Sequence, residues 1–382
     1  MERTSILIVG GGIAGLTTAY HLTRAGATGV TLVERDTNLA QRASSKSAAI
    51  LRTPIEEPTT AAMARRSKKS FLTPPEGFSP TPLLVKRGLV LMANHREAAA
   101  DLERLCSHPE NTLARLSPVQ LAALCPHIAT EPLVAFYAPD DGVLDIAALV
   151  AGFERGARGG GVRFELGTGV VRILTEGGRA VGVELADGRE LRANRVVIAA
   201  GAWAAQLAQA AGSRVTLRPT RRHLLITEPD PSLDPDWPVV WNGGDAFYTR
   251  PADGGLMLSV CDEVDAPADT EVPLPQLAEA IAAGAARHLV GERSLTPARF
   301  WLGLRTLTAD DRFAIGADPD VPGLHWAAGF GGHGMTCSFE AGRLAAAHLV
   351  GRGADEPLLG PLDPARLAVA SPRTRERDRD PG

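Results

Sequence analysis

Ile6-Leu-Ile-Val-Gly10-Gly-Gly12-Ile-Ala-Gly15 is the stretch whose reading decides the fold. Residues 4–10 read as a buried strand, and glycines at 10, 12 and 15 satisfy G-x-G-x-x-G where a helix over 13–25 opens. Val30-Thr-Leu-Val-Glu34 then reads as a second strand, completing a βαβ unit. In such a unit Gly10 permits the tight turn, Gly12 lets the backbone approach a pyrophosphate, and Gly15 allows close helix–strand packing. The amides at the helix N-terminus, those of Ile13 and Ala14 among them, face the phosphates. Glu34 ends the second strand nineteen residues past Gly15. A carboxylate there accepts hydrogen bonds from ribose hydroxyls and repels a 2′-phosphate, which argues against NADP.

Working outward, the texture changes at Thr53, where Pro54, Pro58, Pro74, Pro75, Pro80 and Pro82 surround one helical stretch at 59–72. A helical pattern at 145–158 is followed by strands at 162–166, 170–174, 180–186 and 189–192. Arg195-Val-Val-Ile-Ala-Ala-Gly201 is a further buried strand ending in a glycine. Strands at 214–228, 246–250, 256–260 and 298–307 suit an antiparallel sheet, with a helix at 274–290 between them. Residues 324–350 read as strand, glycine-rich turn and helix. The expected architecture is α/β, with a Rossmann-type dinucleotide domain (1–58, 145–213 and 308–352) interleaved with an α+β domain on a mainly antiparallel sheet (59–144 and 214–307). Residues 353–382 form a C-terminal extension whose end, 371–382, is charged and lacks apolar residues, so a frayed tail is expected.

Composition excludes several classes. A net charge of −4 gives no nucleic-acid footprint. The four cysteines, Cys106, Cys125, Cys261 and Cys337, have no CxxC spacing, so neither a metal site nor a disulfide framework is expected. The apolar run at Ile6–Val9 is too short for a signal peptide or a membrane span, and a cytoplasmic location is expected.

The fingerprint alone does not separate FAD from NAD, but two later segments do. Val196-Val-Ile-Ala-Ala-Gly201-Ala-Trp203 resembles the second nucleotide-contact strand of two-dinucleotide-domain flavoproteins. Gly329-Phe-Gly331-Gly332-His-Gly334-Met335 supplies a second set of amides over three hundred residues downstream, suited to holding the far end of an extended FAD. With Ser44-Ser-Lys-Ser47-Ala-Ala-Ile-Leu-Arg52, Trp301-Leu-Gly-Leu-Arg305 and Asp310 to Gly316, these segments resemble the D-amino-acid oxidase superfamily, in the branch of glycine oxidase, sarcosine oxidase and bacterial D-amino-acid dehydrogenases. Ser47-Ala-Ala, Pro74-Pro-Glu-Gly-Phe78, Pro219-Thr-Arg-Arg222 and Phe247-Tyr248 with Pro251 are most similar to the D-arginine dehydrogenase pattern.

The resemblance implies a set of roles. Ser44, Ser45, Ser47, Ala48 and Ala49 would lie along the flavin, Arg35 beside Glu34, and Val171, Gly201 and Trp203 near the nucleotide. Gly329, Gly331, Gly332, His333, Gly334 and Met335 would face the flavin ring and ribityl chain. Arg305, five residues before Asp310 as in the glycine oxidase pattern, would fork onto a substrate carboxylate. Arg222 or its neighbour Arg221 would be a second carboxylate arginine. Tyr248 would cover the active site, and His333 would line it. Leu89 and Ile50 stand where D-arginine dehydrogenase has a glutamate and a histidine, which implies a neutral or apolar substrate side chain. Leu304 falls where sarcosine oxidase has its flavin-linking cysteine, implying noncovalent FAD. Met257 falls where that enzyme has a lysine credited with activating oxygen, which tilts the expectation to a dehydrogenase with a separate electron acceptor. The implied reaction is oxidation of a small amino acid, a D-amino acid first, by hydride transfer from Cα to flavin N5, giving an imino acid that hydrolyses to a 2-oxo acid. Oxidation of a secondary amine or N-methyl amino acid, or a tailoring amine oxidation in biosynthesis, is the alternative within the class, and a structural or sensing flavoprotein subunit the alternative outside it.

Overall fold

In the computed structural model, which describes residues 3–129, 131–290 and 295–368, the opening strand Arg3–Val9 runs through the middle of a parallel sheet. Val30–Glu34 pairs on one side of it and Glu190–Ile198 on the other. Arg163–Leu166 extends the sheet beyond the first and Leu324–Ala328 beyond the second. A parallel sheet needs both faces covered, and alternation along the central strand provides for both. Ile6 and Ile8 enter one core, with Leu16, Phe153 and Leu344 from helices Ile13–Arg24, Ile146–Gly159 and Ser338–Leu349. Leu7 and Val9 enter the other, with Ile173 and Val183 of the strands Val170–Glu176 and Arg179–Leu185.

One correction concerns 189–192 and 195–201, expected as two strands. They form a single strand, Glu190–Ile198, whose first residues pair antiparallel with Arg179–Leu185 while the rest pairs parallel with Arg3–Val9. The change in sequence texture marks a change of neighbours and not a turn.

Among the described residues nine strands make the second sheet, antiparallel except where Val239–Asn242 runs alongside Leu89–Ala93. Its spine is the pairing of Arg218–Thr227 with Pro297–Leu307, which sets Thr220 opposite Arg305 and Arg222 opposite Gly303. Phe247–Ala252 and Gly255–Ser259 form the neighbouring hairpin. Helix Pro275–His288 covers it, packing Ile281 and Ala285 with Phe247 and Leu258. A third sheet of Ile50–Leu51, Gly142–Leu144 and Leu84–Val85 joins the two halves. Helix Pro58–Leu72 starts at the cap of Glu57, whose side chain accepts from the Thr60 amide. It buries Met63, Ala64 and Phe71 in the core of the parallel-sheet half. The architecture is therefore a Rossmann-type α/β unit interleaved with an α+β unit on a mainly antiparallel sheet. Among the described residues no helix is long and apolar enough to cross a membrane, and no cluster of side chains suits a metal ion. The tail at 371–382 lies outside the described residues.

Candidate active site

The first glycine turn is built by close contacts. A Cβ on Gly10 (φ +109°) would sit 2.6 Å from the Ala199 carbonyl oxygen, and one on Gly15 would sit 1.9 Å from the Gly10 oxygen. Neither position tolerates a side chain. Gly12 differs, because its bare face meets only the Ser44 hydroxyl, at 3.5 Å, and otherwise opens into a cavity. Ser44 Oγ fixes the turn by accepting from the Ile13 amide at 3.0 Å. The Glu34 carboxylate accepts from the amides of Gly11 (2.6 Å) and Asp36 (2.9 Å), which anchors it at the cavity wall.

This cavity, of about 500 Å³, is lined by Gly10, Gly12, Ile13, Ala14, Glu34, Arg35, Ser44, Ser47, Val171, Gly201 and Trp203. Its wall continues through Arg305, Gly329, Gly331, Gly332, Gly334 and Met335. The two glycine turns thus share one cleft. They also nearly touch, since a Cβ on Gly334 would lie 3.5 Å from Ile13 Cγ2. Arg35 stacks its guanidinium 3.7 Å from the Trp203 ring centre at the Glu34 end. The second turn does not open a helix directly, as the spacing suggested. Gly329 (φ +70°) and Gly331 (φ +50°) are left-handed, and the helix starts only at Ser338. The Gly331 amide instead donates to the Thr306 carbonyl at 3.0 Å, tying the turn to the strand that carries Arg305. A dinucleotide fits this construction, with Gly12 and the helix amides for its phosphates and Glu34 for a ribose.

At the other end, charge and aromatic surface meet. Arg305 has no hydrogen-bond or carboxylate partner among the described residues, and burial, followed by the nearby Arg222, pushes its pKa down to about 10. Directly opposed residues of an antiparallel pair share a face, as do residues two apart. Arg222, Gly303 and Arg305 therefore lie on one side of the strand pair, and Arg221 lies on the other. Gly303 leaves room for the guanidinium, because a Cβ there would stand 2.9 Å from Arg305 Nη1. Arg222 is already engaged, donating from Nε to the Asp262 carbonyl at 2.8 Å and pairing with Glu263 at 2.9 Å. Tyr248 is 2% exposed and stacks on Trp241 with ring centres 4.8 Å apart, and burial raises its phenol pKa. Arg52 lies 4.7 Å from the centre of the same Trp241 ring and pairs with Glu56 at 2.7 Å. His333 feels Arg52, Glu56, Arg222 and Arg305; burial drives its pKa down to about 3, so its imidazole is neutral.

Arg222, Tyr248 and His333 thus stand around Arg305 but do not line the larger cavity. Ile50 and Leu89 share an apolar cluster with Trp241, where Leu89 is fully buried. Four of the sequence-derived positions turn away from the cavity. Ser45 is exposed and donates to the Gln41 and Arg42 carbonyls, and Ala48 packs with Leu224, Ile226 and Met257. Ala49 (φ +60°) makes a turn, and Gly15 lies inside the first helix. Sequence reasoning missed Arg42, Thr270 and Glu271 on the cavity wall. Arg42 pairs with Asp36 at 2.8 Å and also with Glu271, reaching from the parallel-sheet half to a loop of the other. No local motif announces this, because the partners are 229 residues apart. Asp310 lies off the cavity wall and pairs with Arg312 (2.7 Å) and Arg366 (2.8 Å).

Comparison with known proteins agrees with this geometry. The family model described as FAD dependent oxidoreductase (DAO) matches residues 5–348. The chain is 26% identical over 401 aligned positions to FAD-dependent oxidoreductase domain-containing protein 1 of Bos taurus, covering 90% of this chain and 81% of that protein. It is 31% identical over 229 positions to a D-amino acid dehydrogenase of Cereibacter sphaeroides, covering 58% of this chain and about half (49%) of that protein. Among solved structures, L-proline dehydrogenase from P. horikoshii superposes with a TM-score of 0.85 at 22% identity, covering 96% of this chain and 98% of the other.

Proposed function

We propose that this chain, which belongs to the FAD-dependent oxidoreductase family and takes FAD as its cofactor, oxidises the carbon–nitrogen bond of a small amino acid, a D-amino acid with a neutral or apolar side chain first. The observation that carries the reading is Arg305, a half-buried cation with no hydrogen-bond or carboxylate partner among the described residues, on the wall shared by both glycine turns. A guanidinium withdrawn from water without a partner is costly, and a substrate carboxylate would relieve it through two parallel hydrogen bonds. Arg222, on the same face, adds positive potential without needing a new partner.

The bound flavin supplies the acceptor for the two electrons that leave the substrate as hydride. The chain's part is to bind, orient and deprotonate. Arg305 fixes the carboxylate and so turns Cα towards the cavity, where orientation replaces chance encounter. The positive field of Arg52, Arg222 and Arg305 disfavours an ammonium, so the amine sheds a proton to solvent on binding and its lone pair is free to assist hydride departure. The same field disfavours a guanidinium side chain on the substrate, which supports a neutral one. Neutral His333 and the raised phenol pKa of Tyr248 keep further ions out of the pocket. Noncovalent FAD is supported by the absence of any cysteine from the described cavity wall. The thioether of Met257, where the related oxidase has a lysine, favours a dehydrogenase.

An anaerobic screen tests this, following loss of the flavin absorption with paired D- and L-amino acids and N-methyl amines. Bleaching by apolar D-amino acids, with release of 2-oxo acid and ammonia, is expected. Release of formaldehyde would shift the assignment to N-methyl oxidation. Bleaching only by amines without a carboxylate would remove the role of Arg305, and a flavin that stays oxidised throughout would point to a non-catalytic subunit.

A further inference from the structure

Ser47 lines two cavities, and of the second cavity's wall only Ser47 and Met257 enter the reading above. It measures about 350 Å³, enough for a small organic molecule. Three arginines, Arg87, Arg250 and Arg299, open onto it against a single carboxylate, Asp253. Arg250 is only 9% exposed. Its Nε donates to the Ala48 carbonyl at 2.8 Å and its Nη1 to the Pro251 carbonyl at 2.9 Å, which leaves Nη2 without a partner among the described residues. Burial pushes its pKa down to about 10, and Arg87 adds to that effect. Arg87 Nη1 is buried without a hydrogen bond, and its nearest carboxylate, on Asp236, stands 3.5 Å away and is 83% exposed. Arg299 lies flat over Trp301, 4.0 Å from the ring centre, at the exposed side of the cavity. Between Arg299 and Arg250, on the same face of the sheet, the wall is apolar, with Ile226 and Met257.

Charge decides what such a cavity holds. Three guanidiniums stand against Asp253 on the wall and Asp236 beside Arg87, which leaves an excess of positive charge, and the donors of Arg250 are fixed by burial before any ligand arrives. A cationic or neutral ligand leaves them unsatisfied. The geometry points to a binding site for a small oxyanion-bearing molecule, a carboxylate or a phosphate ester with an apolar body, behind the wall at Ser47 and separate from the amino-acid site at Arg305. This inference does not depend on the reaction proposed above.

Calorimetric titration of the FAD-loaded protein tests it, with inorganic phosphate and with succinate as separate probes at constant ionic strength. Loading with FAD keeps the amides of the glycine turns from binding the probe. The expected result is a saturable site for at least one probe that persists in Arg305→Ala, where any succinate held at the amino-acid site is lost, and that is weakened at least tenfold in the double variant Arg87→Gln/Arg299→Gln. Saturation by phosphate alone assigns a phosphate ester, and saturation by succinate alone assigns a carboxylate. Arg299→Gln by itself alters an exposed side chain and is expected to weaken binding about threefold, so the test survives if the double variant does not fold. Absence of saturable binding would overturn the inference. So would binding that persists in the Arg87 and Arg299 variants, or that disappears in Arg305→Ala.

Discussion

The two ends of the large cavity are built on opposite principles. At the Glu34 end the ligand meets backbone: amides of a turn, bare glycine faces, and one carboxylate already held by two amides. At the Arg305 end it meets side chains carried by distant strands, one of them an unpaired cation. The first end is rigid because nothing larger than hydrogen fits at Gly10 and Gly15. The second is poised because one of its cations, Arg305, has no ion-pair partner among the described residues. A cofactor retained through many turnovers suits the former, and a substrate exchanged at each turnover suits the latter.

The sharpest way to break this contrast is Gly15→Val. The new side chain would collide with the Gly10 carbonyl, where even a Cβ comes within 1.9 Å. A cost above about 4 kcal/mol is expected, read as loss of bound flavin and of the cooperative melt. Arg305→Ala should leave flavin content unchanged yet lower kcat/KM for a carboxylate substrate by roughly 10²- to 10³-fold. Arg222→Ala, whose charge already has a partner, should cost less than about tenfold. Equal losses in the two arginine variants, measured by steady-state kinetics, would erase the distinction between a free and a spoken-for cation. Glu34→Gln should weaken FAD about tenfold, by loss of charge-assisted hydrogen bonds, while KM for substrate stays put.

Acid offers a further way to sharpen the comparison. Burial holds the pKa values of His21, His325 and His333 down to about 3, against a usual 6.5. On acidification the unfolded chain therefore takes up protons first. Stability present above pH 6.5 falls as the pH drops towards 3, by at most about 1.4 kcal/mol per pH unit for each histidine. His21 lies on the helix after the first turn, His325 on the strand before the second, and His333 in the second turn itself. Urea midpoints between pH 7.5 and 5 should fall less steeply in His325→Gln than in the parent protein.

Much of the Glu34 end was legible in the sequence, because its chemistry is local. Three glycines, a strand on each side and an acidic residue at fixed spacing fall within thirty-four residues. The Arg305 end was legible only through resemblance. Spacing did not distinguish Arg221 from Arg222; register did, because the pairing with Gly303 is a fact about another strand. Strands such as Leu89–Ala93 and Val239–Asn242 escaped notice as short runs in proline-rich surroundings, and they are secured by pairing with each other across the chain. Trp241 and Arg52 were likewise invisible as a pair until the fold stacked one upon the other.

Arg42, with Asp36 on one side and Glu271 on the other, joins the parallel-sheet half to a loop of the other half at the cavity wall. Its outer contact is solvent-exposed and thus contributes little to equilibrium stability. Its effect is expected in time: with both halves tied together at the wall, the contribution of Arg42 should show in how slowly a ligand as long as a dinucleotide escapes, and not in how firmly the fold holds at equilibrium.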